Sequence, residues 1–313
     1  MLALLLLTAA GCSSPSKTAT PASAATTAKT GTIVINPQFD ESRSFSDGLA
    51  RVRIGDFKTG KWGFIDKTGH YVINPQFDSA DSFSDGLAAV RIGDYETGQW
   101  GFIDKTGRIV INPQFGLADS FSDGLALVVI GDFTTGKWGF IDKTGHYVIN
   151  PQFDSADSFS DGLALVRIGD IFTGKWVYID KTEHIVINPQ ITFARSFSDG
   201  LAEVRIGDPE TGKSGFIDKT GHIVINPQFN WADSFSDGLA AVKIGDPETG
   251  KWGFVDKTGH YVINPQFDSA RSFSDGLAEV RIGDDTTGKW GFIDKTGHYV
   301  INPQFDEATS PHF

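Results

Sequence analysis

Residues 49–86 read LARVRIGDFKTGKWGFIDKTGHYVINPQFDSADSFSDG, and this stretch decides the fold. From Leu49 to Ile54 the side chains alternate, with Ala50, Val52 and Ile54 on one side and Leu49, Arg51 and Arg53 on the other. A period of two is the mark of a strand. Trp62 and Phe64 share a face of a second predicted strand, and His70 to Asn74 form a third, rich in β-branched and aromatic residues. Asp66-Lys67-Thr68-Gly69 between them reads as a tight hairpin turn, with Gly69 supplying positive φ. Gly55 to Gly60 makes a longer hairpin loop. Pro75, which has no N–H for a ladder, is expected to end the third strand, and PQFDSADSFSDG to return as a loop pinned by Phe77 and Phe83.

The same unit recurs along the whole chain. INPQ occurs eight times, with its Asn at 36, 74, 112, 150, 188, 226, 264 and 302, always 38 residues apart. FSDGLA occurs seven times, and the KWGFIDKTG block also seven, its Trp column running Trp62, Trp100, Trp138, Trp176, Ser214, Trp252, Trp290. A fixed period of this length means a repeat architecture. One three-stranded meander has too little core to stand alone. Stacked neighbours would bury the Trp and Phe columns together, each large side chain contributing about 2 kcal/mol. The six tryptophans are therefore expected to be structural core.

Composition narrows the function. The chain has 313 residues, 40% of them apolar, with 27 basic and 39 acidic side chains and a formal net charge of -12. That balance argues against nucleic-acid binding, which needs a basic face. A single Cys rules out an internal disulfide and any multi-thiolate zinc site.

The chain opens MLALLLLTAAGCSSPSKTAT. Its leucine run is too short to span a bilayer and reads as the apolar region of a secretory signal. Small residues Ala9, Ala10 and Gly11 before Cys12 resemble the lipobox of bacterial lipoproteins, which implies a signal peptide over 1–11 and a lipidated Cys12. Residues 12–31, Ser-, Thr- and Ala-rich, read as a flexible tether with a reach of about 25 Å. The protein is accordingly expected to be exported and anchored to a membrane of the cell envelope by its acyl chains.

The KWGFIDKTG, INPQFD and FSDGLA strings resemble the WG, or KWG, repeat of bacterial proteins, over residues 32–305. The resemblance implies a repeat protein, often exported, with no defined activity. The repeat domain would hold seven full units plus an N-terminal half-unit, with 306–313 as a tail. Seven units invite a seven-bladed propeller, but three strands per unit and a surplus N-terminal GTIVINPQF favour an open β-solenoid of stacked meanders.

No residues are spaced for catalysis. Ser46-Asp47-Gly48 is a turn rather than part of a triad. The column His70, Arg108, His146, His184, His222, His260, His298 is broken by Arg108 and cannot converge on one metal ion. The Asp47, Asp56 and Asp66 columns could take Ca²⁺, a weak alternative beside Lys61 and Lys67. No phosphate-cradling glycine motif occurs, and no cofactor is expected.

Function is expected where the copies differ. Phe57, Tyr95, Phe133, Ile171 and Phe172 place apolar side chains on predicted loop tips, and Leu117, Phe193 and Trp231 enlarge a column that is otherwise Ser. Together these eight residues form a candidate interaction patch. Unit five is odd: Ser214 replaces Trp, Glu183 replaces the hairpin Gly, and Ile191 and Thr192 replace Phe-Asp. The local minimum of stability is expected over 176–216. The reading is a non-enzymatic envelope scaffold for protein or ligand binding, or alternatively a carbohydrate- or peptidoglycan-binding module using aromatics.

Overall fold

A computed structural model describes residues 35, 38–132, 135–170, 174–187, 193–207, 211–246 and 248–306. The signal segment, Cys12 and the tether lie outside them, as do Phe133, Ile171, Phe172, Ile191 and Thr192. Among the described residues no helix is long and apolar enough to cross a membrane.

The described residues are all-β and form seven four-stranded antiparallel sheets. Sheet 1 holds β1 (Glu41–Ser46), β2 (Leu49–Ile54), β3 (Lys61–Ile65) and β4 (Tyr71–Phe77) in that order. Sheet 2 holds β5 (Ser79–Ala80), β6 (Leu87–Ile92), β7 (Gln99–Asp104) and β8 (Ile109–Phe115). Sheets 3 to 7 repeat the plan, opening at Leu117–Ala118, Ser155–Ala156, Phe193–Ala194, Trp231–Ala232 and Ser269–Ala270.

The unit therefore has four strands, not the three read from the sequence. The return loop contains a two-residue strand: Ser79 pairs with Arg91 and Ala80 with Val90. The FSDG segment that follows is a hairpin turn. Asp47 and Gly48 both take positive φ, at 53° and 88°, as a two-residue turn matched to strand twist requires. Nor does Pro75 end its strand. Trp62 pairs with Phe77 and Phe64 with Ile73, so Asn74, Pro75 and Gln76 bulge opposite the single residue Gly63. The bulge needs that glycine, because a Cβ on Gly63 would lie 2.5 Å from the Ile73 carbonyl oxygen. Val177 stands at the equivalent place in sheet 4.

The apolar cores lie between sheets. One cluster joins Leu49, Phe64, Ile73 and Phe77 of sheet 1 to Ala88, Val90 and Ile103 of sheet 2, with Ala80 and Phe83 from the connection. Its centre is the edge-to-face pair Phe64–Phe83, with ring centroids 4.8 Å apart. The same pair recurs as Phe102–Phe121, Phe140–Phe159, Tyr178–Phe197, Phe216–Phe235 and Phe254–Phe273. The Phe column thus carries the buried core. The six tryptophans of the column are half-buried, and Trp62, Trp100, Trp138, Trp176 and Trp252 pack at the margin of their clusters. Arginines cover several of them: Arg53 over Trp62 and Arg91 over Trp100, both at 5.9 Å, and Arg167 over Trp176 and Arg281 over Trp290, both at 5.6 Å.

Ile35 and Phe39 pack on Ala50, Val52 and Ile65.

Candidate ligand-binding cleft between sheets 5 and 6

Each sheet is crossed by a row of paired side chains that share a face. In sheet 2 it is Ser79, Arg91 and Trp100; in sheet 5, Phe193, Arg205 and Ser214; in sheet 6, Trp231, Lys243 and Trp252. The loss of the indole at Ser214 leaves Arg205 without a cross-strand Trp. Its guanidinium instead lies over Trp231 of the next sheet, 5.1 Å from the ring centroid, and donates to the Asn230 carbonyl oxygen at 3.1 Å. Arg195 covers the same indole at 5.8 Å and the Phe193 ring at 5.6 Å. Trp231 and Phe193 are each 41% exposed, so the stacked groups stay open to a ligand.

A cavity of about 610 Å³ results, lined by Arg205, Lys213, Asn230, Trp231, Lys243 and Trp252 among others. Among the described residues no carboxylate lines it. The charge balance has a traceable cause. In sheet 1 the ammonium of Lys61 meets Asp78 at 2.5 Å, and in sheet 3 Lys137 meets Asp154 at 2.5 Å. For Lys213 the matching position is Asn230. Its side-chain oxygen still accepts the Gly245 N–H at 3.2 Å, the loop bond that Asp78 makes to Gly93, but it brings no negative charge. Three cations beside two indoles therefore sit in a protein of net charge -12. The arrangement suits an anion that carries an apolar face.

Behind the cleft the departures of this region bond to one another. Ser214 donates to Glu203, Arg195 pairs with Glu203 at 3.0 Å and reaches Asp233 at 3.9 Å, and the Tyr178 hydroxyl donates to the Arg195 carbonyl oxygen at 2.7 Å. Burial pushes the Glu203 carboxyl up, against the pull of Ser214 and Arg195. Burial likewise raises Asp233. Sequence reasoning found Ser214, Phe193 and Trp231 but missed Arg195, Glu203 and Asn230. A signal was available: Arg at the Arg195 column accompanies Glu eight residues on, in Arg195–Glu203 and again in Arg271–Glu279.

The other candidate residues lie elsewhere. Phe57 and Tyr95 are 88% and 86% exposed on the loops after β2 and β6, with Arg53 and Arg91 over their rings. Leu117 is half-buried in the first strand of sheet 3. These three do not line the cleft. The turn aspartates are occupied locally: Asp66 accepts from the Thr68 hydroxyl at 2.6 Å and the Thr68 N–H at 2.8 Å, bonds that hold its carboxyl below the usual range. The His70 ring meets the Thr68 hydroxyl at 2.7 Å, and the His70 backbone N–H donates to Asp66 at 3.1 Å. Among the described residues no group of three or more His, Cys, Asp and Glu is gathered as a metal ion would require.

Comparison with known proteins agrees with the repeat. The family described as WG containing repeat matches residues 29–56, 62–95, 100–132, 138–176, 176–208, 215–246, 252–284 and 290–312. No curated protein is found to be similar. Among solved structures, one described as the eukaryotic initiation factor shares 13% identity over 86% of this chain and 78% of its own, with a TM-score of 0.57. Prolyl oligopeptidase B from Galerina marginata shares 11% identity over 84% of this chain, with a TM-score of 0.52, and this chain spans 50% of its length. The β-propeller domain of the Trilobed protease from Pyrococcus furiosus, described as having an open velcro topology, shares 12% identity over 86% of this chain and 99% of its own, with a TM-score of 0.48. At these identities the likeness concerns the fold alone. With eight repeat matches spread over most of its length, the chain belongs to the WG containing repeat family.

Proposed function

We propose that this protein is a non-enzymatic scaffold, tethered to a cell-envelope membrane through Cys12, that holds an acidic glycan in the cleft between sheets 5 and 6. The observation that carries the reading is the exposed Trp231 indole beside Lys213, whose usual carboxylate partner is replaced by Asn230. A sugar ring offers an apolar face to an indole, and its carboxylate answers the cations. Binding without turnover is the reading, because the hydroxyl–imidazole contacts of the described turns, such as Thr68 with His70, are exposed and do not line the cleft. The sheets are read as an open array rather than a closed seven-bladed propeller, because Leu277 and Phe305 of sheet 7 remain 37% and 41% exposed.

Calorimetry with a galacturonic acid trimer and a galactose trimer tests the cleft. Heat with the acidic trimer alone is expected, weakened at least tenfold by Trp231→Ala and by Asn230→Asp, which restores the missing carboxylate. Equal heats with both sugars, or none with either, would dispose of the acidic-glycan reading. Radiolabelled palmitate incorporation that survives Cys12→Ser would dispose of the anchor.

A second reading has its own observation. The rings of Phe57 and Tyr95 project from corresponding loops of adjacent sheets and fit a protein partner. Capture of an envelope protein that persists after Phe57→Ser and Tyr95→Ser would exclude them.

A further inference from the structure

Six junctions join the seven described sheets; each has the aromatic pair, and several add the same polar contacts. At the first, Phe64 meets Phe83 at 4.8 Å, the Asp47 carboxylate accepts the Gly86 N–H at 2.8 Å, and Lys105 approaches that carboxylate at 3.7 Å. The side chain of Ile73 lies against Gly107. Later junctions repeat the parts: Asp161 takes Gly200 and Lys219, and Asp237 takes Gly276 and Lys295.

The two ends of the array hold the halves of one more such junction. On sheet 7, Phe292 is half-buried where Phe64 and Phe102 are fully buried, Phe305 and Leu277 are exposed, and Asp275 receives neither bond among the described residues. On sheet 1, Phe45 is 39% exposed where Phe83 is fully buried, and Lys67 is exposed. Phe45 stands in the Phe83 column and Lys67 in the Lys105 column. Sheet 1 is only partly capped. Ile35 lies against Gly69 as Ile73 does against Gly107, and Phe39 meets Tyr71 at 5.8 Å as Phe115 meets Tyr147 at 6.5 Å. The capping sequence VINPQFDE at 34–41 recurs without change at 300–307.

We propose that the uncovered face of sheet 7 receives sheet 1 of a second copy of this chain. Phe292 meets the partner's Phe45, Asp275 takes the partner's Lys67, and Ile301 and Phe305 replace the partner's Ile35 and Phe39. Phe45 at one end and Leu277 and Phe305 at the other stay exposed together, so among the described residues neither half-junction satisfies the other. The contact is head-to-tail and heterologous, so it propagates into a chain of copies.

Sedimentation velocity on the full chain carrying Cys12→Ser, in which no acyl chain drives association, tests this. Species that grow with concentration are expected. The exposed changes Lys67→Glu and Asp275→Lys, each alone, put like charges across the joint, and each should sediment as single chains. An equimolar mixture of the two variants presents opposite charges at every joint and should regain the larger species. Single chains at every concentration, or a mixture that stays unassociated, would overturn the proposal; the first outcome would point to closure of each chain on itself. The glycan experiment is independent of either result.

Discussion

The Ser214 hydroxyl donates a 2.6 Å hydrogen bond to Glu203 within sheet 5, both side chains being buried. Every other sheet has a tryptophan in place of Ser214. A buried carboxylate stripped of a donor keeps its desolvation cost, so Ser214→Ala should lose about 1–3 kcal/mol. Burial raises the Glu203 carboxyl above its unfolded value, which means the folded state holds the proton longer. Its contribution is therefore complete below about pH 4.3 and declines as pH rises toward the folded value. Thermal melts between pH 4 and 7 should show that decline in the wild type and a flatter profile in Glu203→Gln.

The turn aspartates have the opposite sign. The Thr68, Thr106 and Thr144 hydroxyls lower the carboxyls of Asp66, Asp104 and Asp142, and the backbone N–H groups of the same threonines add to the effect. Stability from these groups is present above the unfolded value near 3.9 and is lost as pH falls through the lower folded values. Acid melts of the wild type should drop steeply below about pH 4. Asp142→Asn should be less stable at neutral pH and shallower in acid, read by circular dichroism; an unchanged slope would show that this turn does not couple to global unfolding.

The left-handed turn positions give a paired test. Gly107 has φ of 85°, and a Cβ there would come within 3.2 Å of Ile73, so Gly107→Ala should lose about 1 kcal/mol or more. Glu183 already occupies this column with φ of 68°. Its side chain accepts from Gln152 at 2.7 Å, an exposed bond of small worth. Glu183→Gly should accordingly gain about 1 kcal/mol. Hydrogen exchange should be fastest over residues 176–216 in the wild type and slow there in the variant. Uniform exchange along the chain would refute the local weakness.

What the sequence disclosed follows from how local each signal is. The β2, β3 and β4 equivalents were legible because alternation and turn glycines act within a few residues. Ser79–Ala80 was not, since two residues have no period and the strand exists only through its pairing with Val90 and Arg91. Pro75 misled because a bulge opposite Gly63 carries the strand past it. In the cleft, Ser214 and Trp231 stood out as departures from the repeat. That Arg205 bridges them could not be read, because the contact crosses between sheets.

The end sheet should be weaker than the interior, and the Phe column measures by how much. Phe140 is fully buried and pairs edge-to-face with Phe159 at 4.8 Å. Phe140→Ala should cost about 3–5 kcal/mol through lost burial and the cavity left behind. Phe292 holds the same position in sheet 7 but is only half-buried, meeting Phe305 at 6.4 Å. Less area leaves water when it folds, so Phe292→Ala should cost less than about half as much. Urea denaturation of dilute protein, where copies are separate, gives the two values. A loss at Phe292 equal to that at Phe140 would mean that its ring is covered in solution, and the exposed face of sheet 7 would then have to be filled by other parts of the same chain.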